Sequence, residues 1–202
     1  MTVSAELPAG FTDKVLSAQS TFRSVMDAMA RPGSLQRIAV GTGVPRPMMH
    51  GTAALALTLF DHDTSLWLDG AMSKTPDAAN WLKFHTSAPL ISDTSVADFA
   101  LIADPATLPA LDSFSFGTAE YPDRSTTLIL QVESLTDGPA YELRGPGIDG
   151  STILRAAIQP SDLFERLSIN ATLFPRGIDV VLVAGDTIAA IPRTTRLAGK
   201  GG

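Results

Sequence analysis

The chain has 202 residues, 45% of them apolar and 18% charged, and its formal net charge at pH 7 is −6. This composition fits one globular domain, and the acidic balance argues against general nucleic-acid binding, which needs a basic face. Cysteine is absent, which excludes disulfides, thiolate metal sites, iron–sulfur ligation and a cysteine nucleophile. The first residues do not resemble a signal peptide and the apolar runs are too short to cross a bilayer, so we expect no membrane association and a cytoplasmic location.

The first predicted helix begins at a cap on Thr12 and is ended by Arg31-Pro32-Gly33. Its apolar residues recur at helical spacing, which predicts a packed face made of Val15, Ala18, Phe22, Val25, Met26 and Met29. A strand at 34–40 follows, and then a helix from Pro47 to about Phe60 that is apolar on most sides and is expected to be buried between layers.

Predicted strands and helices continue to alternate along the rest of the chain. In order, the patterns predict a strand at 64–69, a helix at 75–85, strands at 98–103, 125–135 and 140–145, a helix at 161–172, and strands at 178–184 and 187–192. Asp137-Gly138 and Gly185-Asp186 are typical of hairpin turns. Because a purely parallel sheet cannot contain hairpins, we expect a mixed sheet covered by helices, in one domain spanning 1–202 with flexible ends at 1–10 and 198–202.

Two arginines flank the last hairpin. Arg176 follows Phe174-Pro175, and Arg193 follows Pro192 and precedes Thr194. Antiparallel pairing would place both arginines at the open end of the hairpin, where a phosphate or carboxylate could be held bidentately. The alternative, which the residues leave equally open, is an ion pair with Asp179 or with a neighbouring subunit.

Other polar residues give weaker signals. His85 lies at a predicted helix C-terminus and could hold an anion or transfer a proton, but a histidine bonded to a carbonyl is the commoner case. Arg23 lies at the edge of the first helix's apolar stripe, which suits an interface or a surface position. The stretch Gly145 to Gly150 matches a dinucleotide-binding pattern, yet Pro146 lacks a needed N–H, so we interpret it as a tight turn. We predict no catalytic residue, no metal site and no cofactor.

Several stretches together resemble one family. The segments "AQSTFRSVMDAMARPG", "FHTSAPL", "TLILQV", "GPGI" and "FPRGIDVVLVAGDTIAAIPRTT" are similar to the PhnH family, whose members are components of the bacterial carbon–phosphorus lyase system. The resemblance runs from about residue 15 to 196. It implies a three-layer α/β/α fold with a mixed sheet, like that of pyridoxal-phosphate-dependent transferases but without the cofactor.

The resemblance also implies a role. PhnH proteins belong to a core complex, with subunits G, I and J, that degrades phosphonates, beginning with the synthesis of α-D-ribose 1-methylphosphonate 5-triphosphate from ATP and methylphosphonate. They have no assigned catalytic residues and form homodimers when isolated. We therefore expect an accessory subunit whose anion- or partner-binding residues are Arg23, His85, Arg176, Arg193 and Thr194. The alternative is a free-standing enzyme or ligand-binding dimer that acts on a phosphorylated or phosphonate small molecule.

Overall fold

The computed structural model describes residues 8–38, 43–158 and 162–201. Five α-helices are formed there, which are α1 (Lys14–Ala30), α2 (His50–Leu59), α3 (Gly70–Ser73), α4 (Pro76–Thr86) and α5 (Leu163–Asn170). The strands are β1 (Gln36–Arg37), β2 (Leu66–Leu68), β3 (Leu90–Ile91), β4 (Phe99–Ile102), β5 (Thr127–Gln131), β6 (Ala140–Arg144), β7 (Thr152–Arg155), β8 (Asp179–Ala184), β9 (Thr187–Ile191) and β10 (Arg196–Gly201). None of the helices in these ranges is long and apolar enough to cross a membrane.

The strands form two sheets. Seven lie in the order β1-β9-β8-β5-β4-β2-β3, where β8, β5, β4, β2 and β3 are parallel and the hairpin strand β9 and the edge strand β1 pair antiparallel. The other three form an antiparallel sheet in the order β10-β6-β7. The expected mixed α/β architecture is therefore confirmed.

The large sheet separates two apolar cores. Successive side chains of a strand point to opposite faces, so Leu101 and Ile129 lie in one core while Ala100 and Leu128 lie in the other. The first core is closed by α1, α2, α3 and α4, and the second by the small sheet and α5. The outer layer on this second side is therefore a β-sheet with one helix, where the resemblance implied a layer of helices.

One predicted hairpin is wrong. The segments 125–135 and 140–145 do not pair with each other, because β5 lies between β4 and β8 and is parallel to both, whereas β6 belongs to the small sheet. The continuous apolar run Leu128–Leu130 is fully buried, as expected for a central strand covered on both faces. Gly138, at φ 102°, lies in the turn that leads the chain out of one sheet and into the other.

The boundaries of the first two helices also differ from the predictions. Asp13, and not Thr12, caps α1, since its carboxylate accepts hydrogen bonds from the N–H groups of Val15 and Leu16 at 3.1 and 3.0 Å. The second helix begins at His50 and not at Pro47. It is buried from Gly51 to Ala56, as its apolar sequence predicted.

Several short elements were not predicted. They are α3, β3, β7 and β10, and β10 forms in the tail that was expected to be flexible, pairing with β6 as far as Gly201. The strand predicted at 34–40 forms at Gln36–Arg37, and residues 39 and 40 lie outside the described residues. Of the expected flexible start, residues 1–7 also lie outside them.

Asp69→Asn should destabilise the fold, because this fully buried carboxylate follows β2 and accepts three backbone N–H groups, those of Met72, Ala103 and Asp104. Asparagine keeps the shape but turns one acceptor oxygen into an amide donor that faces an N–H group. We expect a loss of about 2 kcal/mol in the free energy of unfolding, measured by urea titration. The control is Asp149→Asn at an exposed position, and an equal loss in both variants would contradict the prediction.

Candidate functional site

The carboxyl edge of the parallel strands is where open α/β sheets usually bind ligands. The crevice there lies between β2 and β4, whose connections leave in opposite directions along the sheet. In this protein the Asp69 carboxylate bridges the crevice, bonding Met72 N on its own side and Ala103 N and Asp104 N at the end of β4, at 2.8 to 2.9 Å. A protein carboxylate thus occupies the backbone donors that could hold an anion.

The next strand along this edge, β5, also ends at a polar side chain that binds backbone groups of the protein. Gln131, the last residue of β5, accepts hydrogen bonds at Oε1 from Met49 N at 2.6 Å and from Thr52 Oγ1 at 2.8 Å, and donates from Nε2 to the Pro47 carbonyl at 2.9 Å. It therefore caps the amino end of α2. A cavity of about 370 Å³ beside it includes Glu133 in its lining.

Arg193 lies mostly inside the protein, with 14% of its side chain exposed. Its guanidinium forms an ion pair with Asp179, and it also donates to Ser125 Oγ and to the Pro122 carbonyl, both at 2.6 Å. The Asp179 carboxylate also accepts the Arg193 backbone N–H at 2.7 Å. Of the two interpretations that the sequence left open, the structure contains the ion pair with Asp179.

Arg176 and Thr194 lie at the same end of the hairpin as Arg193. Arg176 is exposed, and its side chain makes no hydrogen bond or ion pair with any other described residue. The Pro175 carbonyl is 3.4 Å from Arg193 Nη1, so the Phe174–Gly177 turn lies against the buried arginine. Thr194 is half-buried and lines a separate groove. At this end of the hairpin, Arg193 is therefore mostly buried and Arg176 is exposed.

His85 holds the beginning of the described chain against α4. Its Nε2 is 3.1 Å from the Pro8 carbonyl, which also accepts a hydrogen bond from Trp81 Nε1 at 2.8 Å. The imidazole lies 4.5 Å from the Trp81 ring, and a Cβ added at Gly10 would approach His85 Nδ1 to 3.1 Å. This contact matches the carbonyl-bonded histidine that the sequence analysis considered the commoner case.

Arg23 is exposed on α1, next to an apolar surface of that helix. The buried residues of α1 are Thr21, Val25 and Ala28. The helix is therefore rotated relative to the predicted packed face, and large apolar residues face outward. We define the α1 surface as four exposed apolar residues of this helix, which are Val15 (65% exposed), Leu16 (64%), Phe22 (48%) and Met26 (53%).

Arg144 and Arg196 were missed by sequence reasoning. They line a groove of about 650 Å³ that we call the arginine groove, whose walls include Arg144, Gly145, Pro146, Phe174, Thr194 and Arg196. The two arginines are 52 positions apart in the sequence and meet because β10 pairs with β6, a pairing that no local pattern indicated. The Gly145–Gly150 stretch forms the turn after β6, as predicted. No group of three metal-ligating side chains occurs among the described residues.

Comparison with known proteins decides the family. Residues 9–198 match the model of the bacterial phosphonate metabolism protein family PhnH. The chain belongs to the PhnH family. It is 42% identical over 198 residues, 98% of each chain, to the α-D-ribose 1-methylphosphonate 5-triphosphate synthase subunit PhnH of Rhizobium meliloti (strain 1021). It is 28% identical over 184 residues, 91% of this chain and 87% of the other, to the putative C-P lyase subunit protein HtxG of Stutzerimonas stutzeri. The family resemblance of the sequence is thus confirmed.

The two hairpin arginines should differ in their effect on stability. Arg193→Ala would leave the Asp179 carboxylate without its main partner in a largely buried position, so we expect a loss of about 3 kcal/mol in the free energy of unfolding. Arg176→Ala, at the exposed position, should change it by less than about 0.5 kcal/mol. Urea titration of both variants measures the difference, and equal losses would contradict the assigned roles.

Proposed function

We propose that this protein is an accessory subunit of a carbon–phosphorus lyase complex in phosphonate catabolism, at the ribose 1-methylphosphonate 5-triphosphate synthase step. The observation that carries the proposal is the 42% identity, over nearly the whole of both chains, to a protein named as a subunit of that synthase. In this proposal the chain contributes binding surfaces, and its partners form and break the bonds.

The use of polar side chains inside the fold supports an accessory role. Asp69 and Gln131 bind backbone groups along the edge where α/β sheets usually bind substrates. Arg193 is paired with Asp179, and His85 lies within hydrogen-bonding distance of a carbonyl. Each of these groups has a structural partner within the chain, so none needs a substrate to satisfy it.

The α1 surface is the partner-binding surface in this proposal. At 3.6 residues per turn, Val15, Phe22 and Met26 fall within roughly 40° of one another around the helix axis. Exposed apolar stripes of this kind are typical of protein–protein contacts, whose centres favour aromatic residues, methionine and arginine. Arg23 lies next to the stripe and would contribute an oriented cation to the same contact.

The finer expectations from the family resemblance belong to this proposal as well. They are assembly with subunits G, I and J, homodimerisation of the isolated chain, a cytoplasmic location, and the likeness to the fold of pyridoxal-phosphate-dependent transferases. Arg176, exposed and unpaired among the described residues, would be a second cation available to a partner or an anion.

Replacing an exposed apolar residue of the α1 surface by an acid should prevent assembly without unfolding the chain. We expect Phe22→Glu and Met26→Glu each to reduce co-purification with subunits G, I and J at least tenfold, because a carboxylate buried in a contact loses its hydration. The measurement is an affinity pull-down from cells that express all four subunits.

The matched control is Val96→Glu, at a residue that is 62% exposed on another part of the chain, and it should co-purify like the unchanged protein. Normal assembly of both α1 variants would reject the α1 surface as the contact. Failure of the unchanged chain to enter any such complex would reject the subunit role. Multiple turnovers of a phosphonate or nucleotide by the isolated chain would reject the accessory role.

A further inference from the structure

A cavity of about 530 Å³ lies beside α5 and the segment 108–116, which belongs to the connection from β4 to β5. We call this cavity the α5 pocket, and its apolar wall includes Leu108, Leu111, Phe116, Ile169 and Leu173. The volume lies within the range of small-molecule sites, which are typically lined by apolar side chains with a few polar groups. None of the residues that line the α5 pocket belongs to the α1 surface or to the arginine groove.

One face of α5 is turned toward the pocket. Arg166, Ile169, Asn170 and Leu173 all line it, and they recur at intervals of three and four residues, the spacing of one helix face. Asn170 is buried and bonds the N–H and the carbonyl of Ile178, both at 2.8 Å. Ile169, in contrast, is 65% exposed. A large apolar side chain left open beside an apolar cavity is a surface that a bound ligand would cover.

Among the described residues, one side chain of each charge lines this pocket, and the two are not paired with each other. Asp112 is exposed, and its carboxylate makes no hydrogen bond or ion pair with any other described residue. Arg166 is held by Asp162, whose Oδ2 accepts a hydrogen bond from Arg166 Nε at 3.0 Å. The Nη1 and Nη2 groups of Arg166 make no hydrogen bond within the described part of the chain. The pocket therefore offers a free acceptor and a free pair of donors.

A ligand that carries both charges would satisfy both groups. A carboxylate fits the Nη1–Nη2 edge of a guanidinium group through two parallel hydrogen bonds, and an ammonium group donates to a carboxylate. In an α-amino acid these two groups are joined to one carbon atom, and the side chain is a third substituent that could lie against the apolar wall. Because such charge pairs form beside apolar side chains, they attract more strongly than in open water.

We propose that the α5 pocket binds a free α-amino acid with a large apolar side chain. Asp112 accepts hydrogen bonds from the ammonium group, and Arg166 donates to the carboxylate. The side chain lies against the wall formed by Leu108, Leu111 and Phe116. This site goes beyond the proposed subunit role, because it gives the chain a small-molecule ligand of its own.

Titration calorimetry on the isolated full-length chain tests the pocket with L-phenylalanine and three analogues that each lack one part of it. Phenethylamine lacks the carboxylate, 3-phenylpropionate lacks the ammonium group, and glycine lacks the side chain. We expect saturable binding of L-phenylalanine, and binding of each analogue that is weaker by about tenfold or more, because each loses one of three contacts. Absence of saturable binding, or equal affinity for L-phenylalanine and for an analogue with a single charge, would overturn the proposal.

Two variants test the two charged contacts separately. Asp112→Asn should weaken the binding of L-phenylalanine by about tenfold or more without weakening that of 3-phenylpropionate, which has no ammonium group. Arg166→Gln should weaken the binding of L-phenylalanine to a similar extent without weakening that of phenethylamine, which has no carboxylate. Unchanged affinity for L-phenylalanine in both variants would reject the site.

The charge-matched controls lie outside the pocket. Asp149→Asn removes an exposed acid in the turn after β6, and Arg155→Gln removes an exposed arginine on β7 that donates to the Gly138 carbonyl. Both variants should bind L-phenylalanine with the affinity of the unchanged protein. Weakening by these controls to the same extent as by Asp112→Asn and Arg166→Gln would contradict the assignment.

Thermal unfolding gives a second readout, which also shows whether each variant is folded. A ligand that binds only the folded state raises the unfolding temperature, so saturating L-phenylalanine should raise it for the unchanged chain and for Asp149→Asn. At the same concentration, Asp112→Asn and Arg166→Gln should each unfold cooperatively but show little of this rise. A rise of the same size in all four proteins would reveal a general effect of the amino acid on stability and would reject the pocket as its site.

Co-purification separates this site from the subunit role. Asp112→Asn should still assemble with subunits G, I and J. If it fails to assemble, the pocket is a subunit contact and the ligand site is rejected, while the subunit role stands. If the unchanged chain never assembles but binds L-phenylalanine through Asp112, the subunit role fails and the ligand site stands.

Discussion

The ion pair between Arg193 and Asp179 joins three parts of the chain that are distant in sequence. Asp179 begins β8, Arg193 follows β9, and the guanidinium also bonds Ser125 and the Pro122 carbonyl in the segment that leads into β5. The central parallel strands and the closing hairpin are thus anchored at one point. A guanidinium withdrawn from water must find fixed partners, and here the chain supplies all of them itself.

Other buried or half-buried polar side chains also find their partners within the chain. Asp69 and Gln131 satisfy backbone groups at the carboxyl edge of the sheet, and His85 lies against the Pro8 carbonyl. Two features of the described residues face outward instead, the α1 surface and the arginine groove. Both features lie at the periphery of the protein, which belongs to a family named for phosphonate metabolism and has a relative named as a synthase subunit.

Prediction from the sequence succeeded where the signal is local and strong. The hairpin β8–β9 has two apolar strands around Gly185, which turns at φ 62°, and α4 has proline in its first turn, so both were predicted close to their observed positions. Prediction from the sequence failed to identify which strands pair with each other. The run at 125–135 is apolar enough to be a strand in any arrangement, and nothing in it indicates that its neighbours are β4 and β8. The orientation of α1 was also missed, because Phe22 and Met26 look like core residues whether their contacts lie within the chain or outside it.

The sequence by itself determined the secondary-structure alternation, the mixed sheet, the absence of cysteine chemistry and, through several ordered matches, the family. Only the tertiary structure decided which arginine is buried, since Arg176 and Arg193 occupy similar turns next to prolines and differ in whether Asp179 is within reach. It alone brought Arg144 and Arg196 together, because strand pairing joins residues that are remote along the chain. Local patterns reflect propensities of short segments, whereas a site depends on which segments meet in space.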